Sequence, residues 1–334
     1  MMRLTSSTLL LLFCLCPLLR SDTTLDTEAV KKAVVFIYAA KADASNPDGI
    51  SADETRSIGT GFLVAVPVTI PGETKKRLIL ALVTARHMVD PYWVECSPEP
   101  QAQPDRRFYI RLNNKRYDPD SDQTGVSYLP IDLVAHGKKS YFVRDDDDKV
   151  DAAVVAVPWG DWGKMQEEYS FVPMQLNVFA SSDEIGKFKI GDSIASAGLV
   201  PGRSGEKRNY PFFKFGEISN IPDEPTQVGC RKERVWFIAA NLIGGNSGSP
   251  IFYAPAPLHT NMSPVTRGVL IGVQSSALIA RSDQGGNDVL EPADIAGMTP
   301  VEDVFKIFEK IMPPTADLHR GDETKPDEGA AKPH

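Results

Sequence analysis

Cysteine is scarce in this chain, four among 334 residues, and two of them, Cys14 and Cys16, fall in an apolar N-terminal stretch. Cys96 and Cys230 remain, too few for the disulfide lattice of a small secreted scaffold, and the sequence leaves open whether they are joined. No C-x-x-C or H-E-x-x-H spacing occurs, which removes the common zinc patterns, so no metal and no cofactor is expected. Positive charge is also short: 36 Lys and Arg against 44 Asp and Glu give a net charge of −8. The basic stripe of a nucleic-acid or anionic-membrane binder is therefore missing, and no nucleic-acid partner is expected. No apolar run reaches the roughly 20 residues of a bilayer-spanning helix. The stretch Leu9–Leu19 behind Met1-Met2-Arg3 has instead the charged start and short apolar core of a signal peptide. Residues 1–21 are assigned to it, although Leu18-Leu19-Arg20-Ser21 lacks a small-x-small cleavage signature. Export to a periplasmic or extracellular space follows, with no stable membrane insertion once the segment is removed.

Apolar residues make up 42% of the chain and charged ones 24%, ordinary globular material for one two-lobed unit or two small domains. Between about residues 30 and 157 short apolar runs alternate with polar turns, the spacing of strands rather than helices. Val34–Tyr38, Gly61–Val64, Leu78–Val83, Phe108–Ile110 and Ala152–Val157 are the expected strands. A turn-rich connection from Pro158 to about Glu184 leads to a second set at Ser193–Ala197, Phe213–Ile218, Val235–Ala240, Pro250–Tyr253 and Val269–Val273. One helix is signalled at 300–312, where Thr299 offers a cap, Pro300 a first helical position and Glu302 a third, ahead of the apolar face Val301, Val304, Phe305, Phe308 and Ile311. Residues 313–334, rich in Pro, charge, Gly and Ala, read as a solvated tail that makes His319 and His334 inert. His136 and His259, in polar turns, read as surface residues.

Three local patterns carry chemistry. Leu82-Val83-Thr84-Ala85-Arg86-His87 ends an apolar run on a histidine; Val150-Asp151-Ala152-Ala153-Val154 opens one with an aspartate; Gly244-Gly245-Asn246-Ser247-Gly248-Ser249-Pro250 brackets a serine with glycines. A glycine-flanked turn exposes a hydroxyl and converges backbone N–H groups beside it, the geometry an acyl-transfer nucleophile needs. None of these is specific alone. Their order, His then Asp then Ser, each at the end of a strand-like run, is far more so.

In these residues the chain resembles the trypsin-like (chymotrypsin-fold) serine peptidases, whose motifs read T-A-A-H-C, D-I-A-L and G-D-S-G-G-P. It is most similar to their bacterial HtrA/Deg-like branch, in which G-N-S-G replaces G-D-S-G. Gly59-Thr60-Gly61-Phe62-Leu63-Val64, Lys189-Ile190-Gly191-Asp192-Ser193-Ile194 and Gly268–Val273 extend the resemblance across 27–312. It implies an all-β fold of two packed six-stranded antiparallel barrels, one over about 30–160 and one over about 185–290, with the C-terminal helix behind them. No room is left after that helix for the PDZ module that HtrA-type chains often carry. It further implies a serine endopeptidase acting on polypeptide substrates, with catalytic residues His87, Asp151 and Ser247 and an oxyanion hole of Gly245, Asn246 and Ser247. Asn246 stands where zymogen relatives carry an aspartate that pairs with a newly cut N-terminus, so activation of that kind is not expected. Ser249 replaces the motif's last glycine. Asn241, six residues before the nucleophile, takes the position at the base of the S1 pocket, with Val273, Gln274 and Ser275 along the opposite wall. This implies a small or medium uncharged preference there.

Asp145-Asp146-Asp147-Asp148-Lys149 precedes Asp151 closely and supplies competing carboxylates. It reads as an exposed loop, with calcium binding as the alternative. Asp151 is preferred as triad member because Ala152-Ala153-Val154-Val155 draws it inward. Two rivals to the peptidase are a catalytically idle peptidase-fold binding protein and an esterase of unrelated fold, the latter weakened by the absence of G-x-S-x-G and by the serine coming last. The oligomeric state is not legible.

Overall fold

The computed structural model describes residues 25–41, 50–68, 77–98, 106–135, 139–158, 162–255, 265, 267–284 and 287–311. The expected signal peptide, the C-terminal tail and His136, His259, His319 and His334 lie outside the described residues.

The N-terminal lobe opens with α1 (Thr27–Ala33), capped by Asp26, whose carboxylate accepts the N–H groups of Glu28 and Ala29 at 3.0 Å. Its strands are β1 (Val34–Ala40), β2 (Thr55–Val68), β3 (Arg77–Thr84), β4 (Arg106–Asn113), β5 (Val126–Ala135), β6 (Lys139–Ser140), β7 (Phe142–Arg144), β8 (Ala153–Ala156) and β9 (Met174–Gln175). Two short helices, α2 (Arg86–Val89) and α3 (Pro91–Val94), follow β3, and α4 (Trp162–Glu168) and α5 (Ser182–Ile185) lie in the connection to the second lobe. The sheet runs β6-β5-β4-β1-β2-β3-β8-β7, with β9 parallel to β2.

Successive side chains of β2 fall on opposite faces, the period of a strand. Phe62, Val64 and Val66 join a core shared with the second lobe, while Leu63 joins Ile37, Leu82 and Ile110 in the first lobe's own interior. Both faces are thus covered, which is why these strands read as unbroken apolar runs rather than alternating ones.

The second lobe contains β10 (Ser193–Gly198), β11 (Phe212–Asn220), β14 (Trp236–Ala239), β15 (Pro250–Tyr253), β16 (Val269–Gln284) and β17 (Asn287–Pro300), closed into a barrel in the order β10-β11-β14-β17-β16-β15; a hairpin of β12 (Thr226–Val228) and β13 (Arg231–Glu233) stands outside it. The chain is therefore mostly β, built as two lobes. Six strands close the second lobe as expected. The first departs from the expected six-stranded barrel: among the described residues it is a half-barrel, a nine-stranded sheet with β6 and β7 at its edges.

Helix α6 (Val301–Ile311) follows β17 directly. It buries Val301, Val304, Phe305 and Phe308, and packs the last two on Phe179 at ring separations of 5.2 and 6.1 Å. Burial of each large side chain contributes about 1.5–3 kcal/mol. Thr299 does not act as the expected cap. It lies in β17 opposite Val273 and donates its hydroxyl to the backbone carbonyl of Asp151 at 3.2 Å.

Cys96 and Cys230 form a disulfide across 134 positions of sequence. The bond ties the β12–β13 hairpin of the second lobe to the segment after α3 in the first.

Candidate active site

Strand β3 pairs with β8, Thr84 opposite Ala153, so the chain just after one strand meets the chain just before the other. His87 and Asp151 are placed there. Asp151, 2% exposed, accepts two hydrogen bonds from the same residue: the His87 backbone N–H reaches Oδ1 at 2.9 Å, and ring Nδ1 reaches Oδ2 at 2.8 Å. With Nδ1–H committed to the carboxylate, Nε2 of the neutral ring carries no proton and is free to accept one. The Thr299 hydroxyl steadies the Asp151 backbone from the other lobe.

The serine turn is fastened to the first lobe by Thr60, which uses all its polar groups. Its N–H donates to Ser247 O at 2.9 Å and its hydroxyl to Gly245 O at 2.8 Å; the same hydroxyl accepts Leu199 N–H at 2.9 Å, and its carbonyl accepts the Thr84 hydroxyl at 2.8 Å. Gly248 (φ +85°) passes so close to Thr60 and Thr84 that a Cβ would collide with both. Its N–H donates to Gln274 O at 2.8 Å, and Gln274 N–H returns to Ser249 O at 2.9 Å. Ser247 is thus held between β2 and β16, against the threonine three residues before His87. Its hydroxyl has no hydrogen-bond partner among the described residues.

Asn246 is 1% exposed and fully occupied with shaping this turn. Its N–H donates to Ile243 O at 3.1 Å, its Oδ1 accepts Ile243 N–H at 3.0 Å and the Lys214 ammonium at 3.1 Å, and its Nδ2 donates to Leu199 O at 2.7 Å. Of the three residues expected to form an oxyanion hole, Asn246 therefore has no N–H to offer. Gly245 (φ +93°) and Ser247 leave theirs without an acceptor among the described residues. A carboxylate at Asn246 would supply no donor to the Leu199 carbonyl.

Beside His87 lies a cavity of about 180 Å³ whose lining includes Asp151, Trp93, Glu233, Ser275 and Ser276. Burial disfavours a charged imidazole, but the Asp151 carboxylate, with a smaller contribution from Glu233, outweighs it, and the His87 pKa is raised. Glu233, 4% exposed, is pushed up to about 8, first by burial and then by the neighbouring Asp151 charge.

Ser275 lines this cavity; the other residues expected at the substrate pocket do not. Val273 is fully buried in the barrel, Gln274 uses its peptide to hold the serine turn, and Asn241 is exposed, its carbonyl accepting Lys214 Nζ at 2.6 Å. The acidic run is a largely exposed loop, as expected, and the carboxylates of Asp146, Asp147 and Asp148 are engaged in ion pairs. Asp146 pairs with Lys310 at 2.8 Å and Asp147 with Arg234 at 2.5 Å, Arg234 continuing to Asp303 at 2.6 Å. No group of ligands fit to hold a metal ion occurs among the described residues. Glu233, Thr299 and Lys214 are residues of the site that the motifs did not mark.

No protein-family model matches the sequence, and no curated protein is similar to it in sequence. Solved structures align with it at low identity. The MamO protease domain from Magnetospirillum magneticum aligns with 84% of this chain and 97% of its own at 12% identity, with a TM-score of 0.44. Rv3671c from M. tuberculosis, in its inactive form, aligns with 85% of this chain and 89% of its own at 17% identity, with a TM-score of 0.38.

Proposed function

We propose that this chain is a serine endopeptidase in which Ser247 is the nucleophile, His87 the general base and acid, and Asp151 the residue that fixes the histidine. A serine hydroxyl holds its proton too tightly to attack a peptide carbonyl unaided. His87 Nε2 takes that proton as Ser247 Oγ bonds to the carbonyl carbon; the oxyanion so formed accepts the Gly245 and Ser247 N–H groups. Collapse breaks the C–N bond, the imidazolium returns its proton to the leaving amine, and water repeats the sequence to release the acyl group. The observation that carries the reading is the pair of hydrogen bonds by which one buried carboxylate holds both the backbone and the ring of His87. A surface ion pair has no need of such a grip. The G-N-S-G turn supports affinity with the HtrA/Deg-like branch. The apolar leader and the Cys96–Cys230 disulfide support an exported protein working in an oxidising space.

One observation favours the idle binding protein instead: the Ser247 hydroxyl is not hydrogen-bonded to His87. Catalytic hydrogen bonds are often long before substrate arrives. A fluorophosphonate probe separates the two readings, since labelling needs an activated serine beside formed oxyanion donors. Labelling of the native protein and none of a folded Ser247→Ala variant is expected; absence of labelling in both would favour the idle protein.

A further inference from the structure

Glu233 is the one carboxyl in the cavity beside His87 that nothing in the catalytic cycle uses. Its place is set by the β12–β13 hairpin: Glu233 pairs with Thr226, Lys232 faces solvent, and the strand period turns Glu233 inward. Its Oε2 is buried without any hydrogen-bond partner. A lone polar atom in that state costs about 1–3 kcal/mol, and more when charged. The charged groups facing it are His87, Asp151 and Arg231. None of them hydrogen-bonds to it. His87 and Asp151 hold each other, and Arg231 donates Nε to Trp93 O at 2.6 Å while its guanidinium lies over the Trp93 ring at 5.3 Å. Ser275 and Ser276 line the same cavity, and their hydroxyls are likewise buried and unpartnered. The cavity is thus lined by a glutamate and two serines whose buried acceptor atoms have no partner among the described residues.

We propose that Glu233 is a specificity-determining residue: with Ser275 and Ser276 it receives the ammonium or guanidinium group of a lysine or arginine side chain of the polypeptide, seated in the cavity next to His87. The proposal rests on the peptidase reading for its substrate class. A cation supplies the donors that all three acceptors lack, and its charge offsets the two crowded carboxyls. The apolar part of the cavity, Trp93 and Val94, suits the aliphatic stem. Burial and the Asp151 charge together hold the Glu233 proton on in the empty cavity, and an arriving cation would release it.

The test has an arm that needs no turnover. Binding of n-butylammonium and of 1-butanol, isosteric but uncharged, is measured by NMR on the Ser247→Ala protein with Glu233 intact and with Glu233→Gln. The amine is expected to bind at least tenfold more tightly than the alcohol, and the preference to vanish in Glu233→Gln. Equal binding of the two probes, or a preference that survives the substitution, overturns the proposal. The carbon-detected titration of the Glu233 carboxyl in the unsubstituted chain needs no variant: the amine should lower its midpoint, and an unmoved midpoint overturns the proposal. In the second arm, peptides carrying lysine or norleucine at one position at a time are offered to the active protein. A lysine preference at one position, lost in Glu233→Gln, supports the assignment, and its absence refutes it. If amines bind through Glu233 but no peptide is cut, the cation site stands and the peptidase reading falls.

Discussion

Replacing Asp151 by asparagine is the sharpest perturbation available, because the structure dictates which way the amide must turn. The carboxylate accepts on both oxygens, from His87 N–H at 2.9 Å and from Nδ1 at 2.8 Å. An amide of the same shape has one acceptor and one donor. The backbone N–H cannot become an acceptor, so it claims the amide oxygen, and the amide NH2 is left facing Nδ1. The ring then satisfies that donor only by moving its own proton to Nε2. In that tautomer the nitrogen that should take the Ser247 proton already carries one.

A wrong tautomer of this kind lowers kcat by roughly 10⁴ in the general template of such triads, about 5 kcal/mol of transition-state stabilisation. The geometry here gives no reason for a smaller loss, since Asp151 is buried and water cannot substitute for the missing acceptor. The assays are peptide hydrolysis and nitrogen-resolved NMR of the imidazole, which should report the proton on Nε2 instead of Nδ1. Loss of the Asp151 charge should also bring the His87 pKa down. A variant that keeps its rate within about tenfold, or whose ring proton stays on Nδ1, would show that Asp151 does not set the tautomer. Asp147→Asn and Asp148→Asn should by contrast change kcat little, because those carboxylates pair at the surface with Arg234 and Arg231 rather than with His87.

Further outcomes follow from the same geometry. Since His87 must be neutral to act as base and its pKa is raised, kcat/KM should climb with pH through a midpoint above the usual 6.5; a midpoint at or below that value would contradict the Asp151 contact. The same shift stabilises the fold fully below the unfolded value and is lost as pH rises through the folded one, so activity and this part of stability run in opposite directions. Glu233 keeps its proton in the folded state to about pH 8 but releases it near its ordinary 4.5 when unfolded, so stability should fall between those values. Glu233→Gln removes the fall, and its unfolding free energy from urea titrations should exceed the native one increasingly from pH 4.5 to about 8, by at most about 5 kcal/mol, with no such widening if the carboxyl is solvated. Reduction of Cys96–Cys230, which closes a loop of 134 positions, should cost about 2–5 kcal/mol in denaturant titrations and weaken amine binding beside the tethered hairpin; an unchanged midpoint would mean the bond is absent.

The residues that could be read from sequence are those whose neighbours are locally constrained. Ser247 stands between glycines because Gly245 and Gly248 adopt positive φ and Gly248 touches Thr60, so the constraint is written beside the residue itself. His87 and Asp151 stand at the ends of apolar runs because β3 and β8 are buried side by side. Thr299 misled because a threonine before Pro300 carries the same letters whether it caps a helix or ends a strand, and pairing with Val273 settled the choice. Strand β5 escaped notice because Pro130 interrupts it and its burial is intermittent; β4 pairs with it regardless, Tyr109 opposite Pro130. Counting six residues back to Asn241 assumed a turn of family geometry, whereas Lys214 holds the Asn241 carbonyl at the surface. Nothing in Arg231-Lys232-Glu233-Arg234 distinguishes a buried carboxyl from a solvated one, since the hairpin that inverts it is anchored by a disulfide partner far away in sequence.

That tether bears on why an unpartnered carboxyl persists beside His87 at all. Two acids lie near one imidazole in different surroundings: Asp151 has both oxygens occupied by N–H donors of His87, while Glu233 has no such donor and burial pushes its pKa up to about 8. A glutamine of the same shape would satisfy the packing without the electrostatic penalty, so stability alone does not account for the residue. The penalty becomes useful if something cationic enters the cavity, because the carboxyl then exchanges its proton for a partner and the cost incurred on folding is recovered on binding. It would be recovered next to His87 without adding net charge there, because the proton leaves as the cation arrives, so the ring stays the Asp151-held base that attack by Ser247 requires.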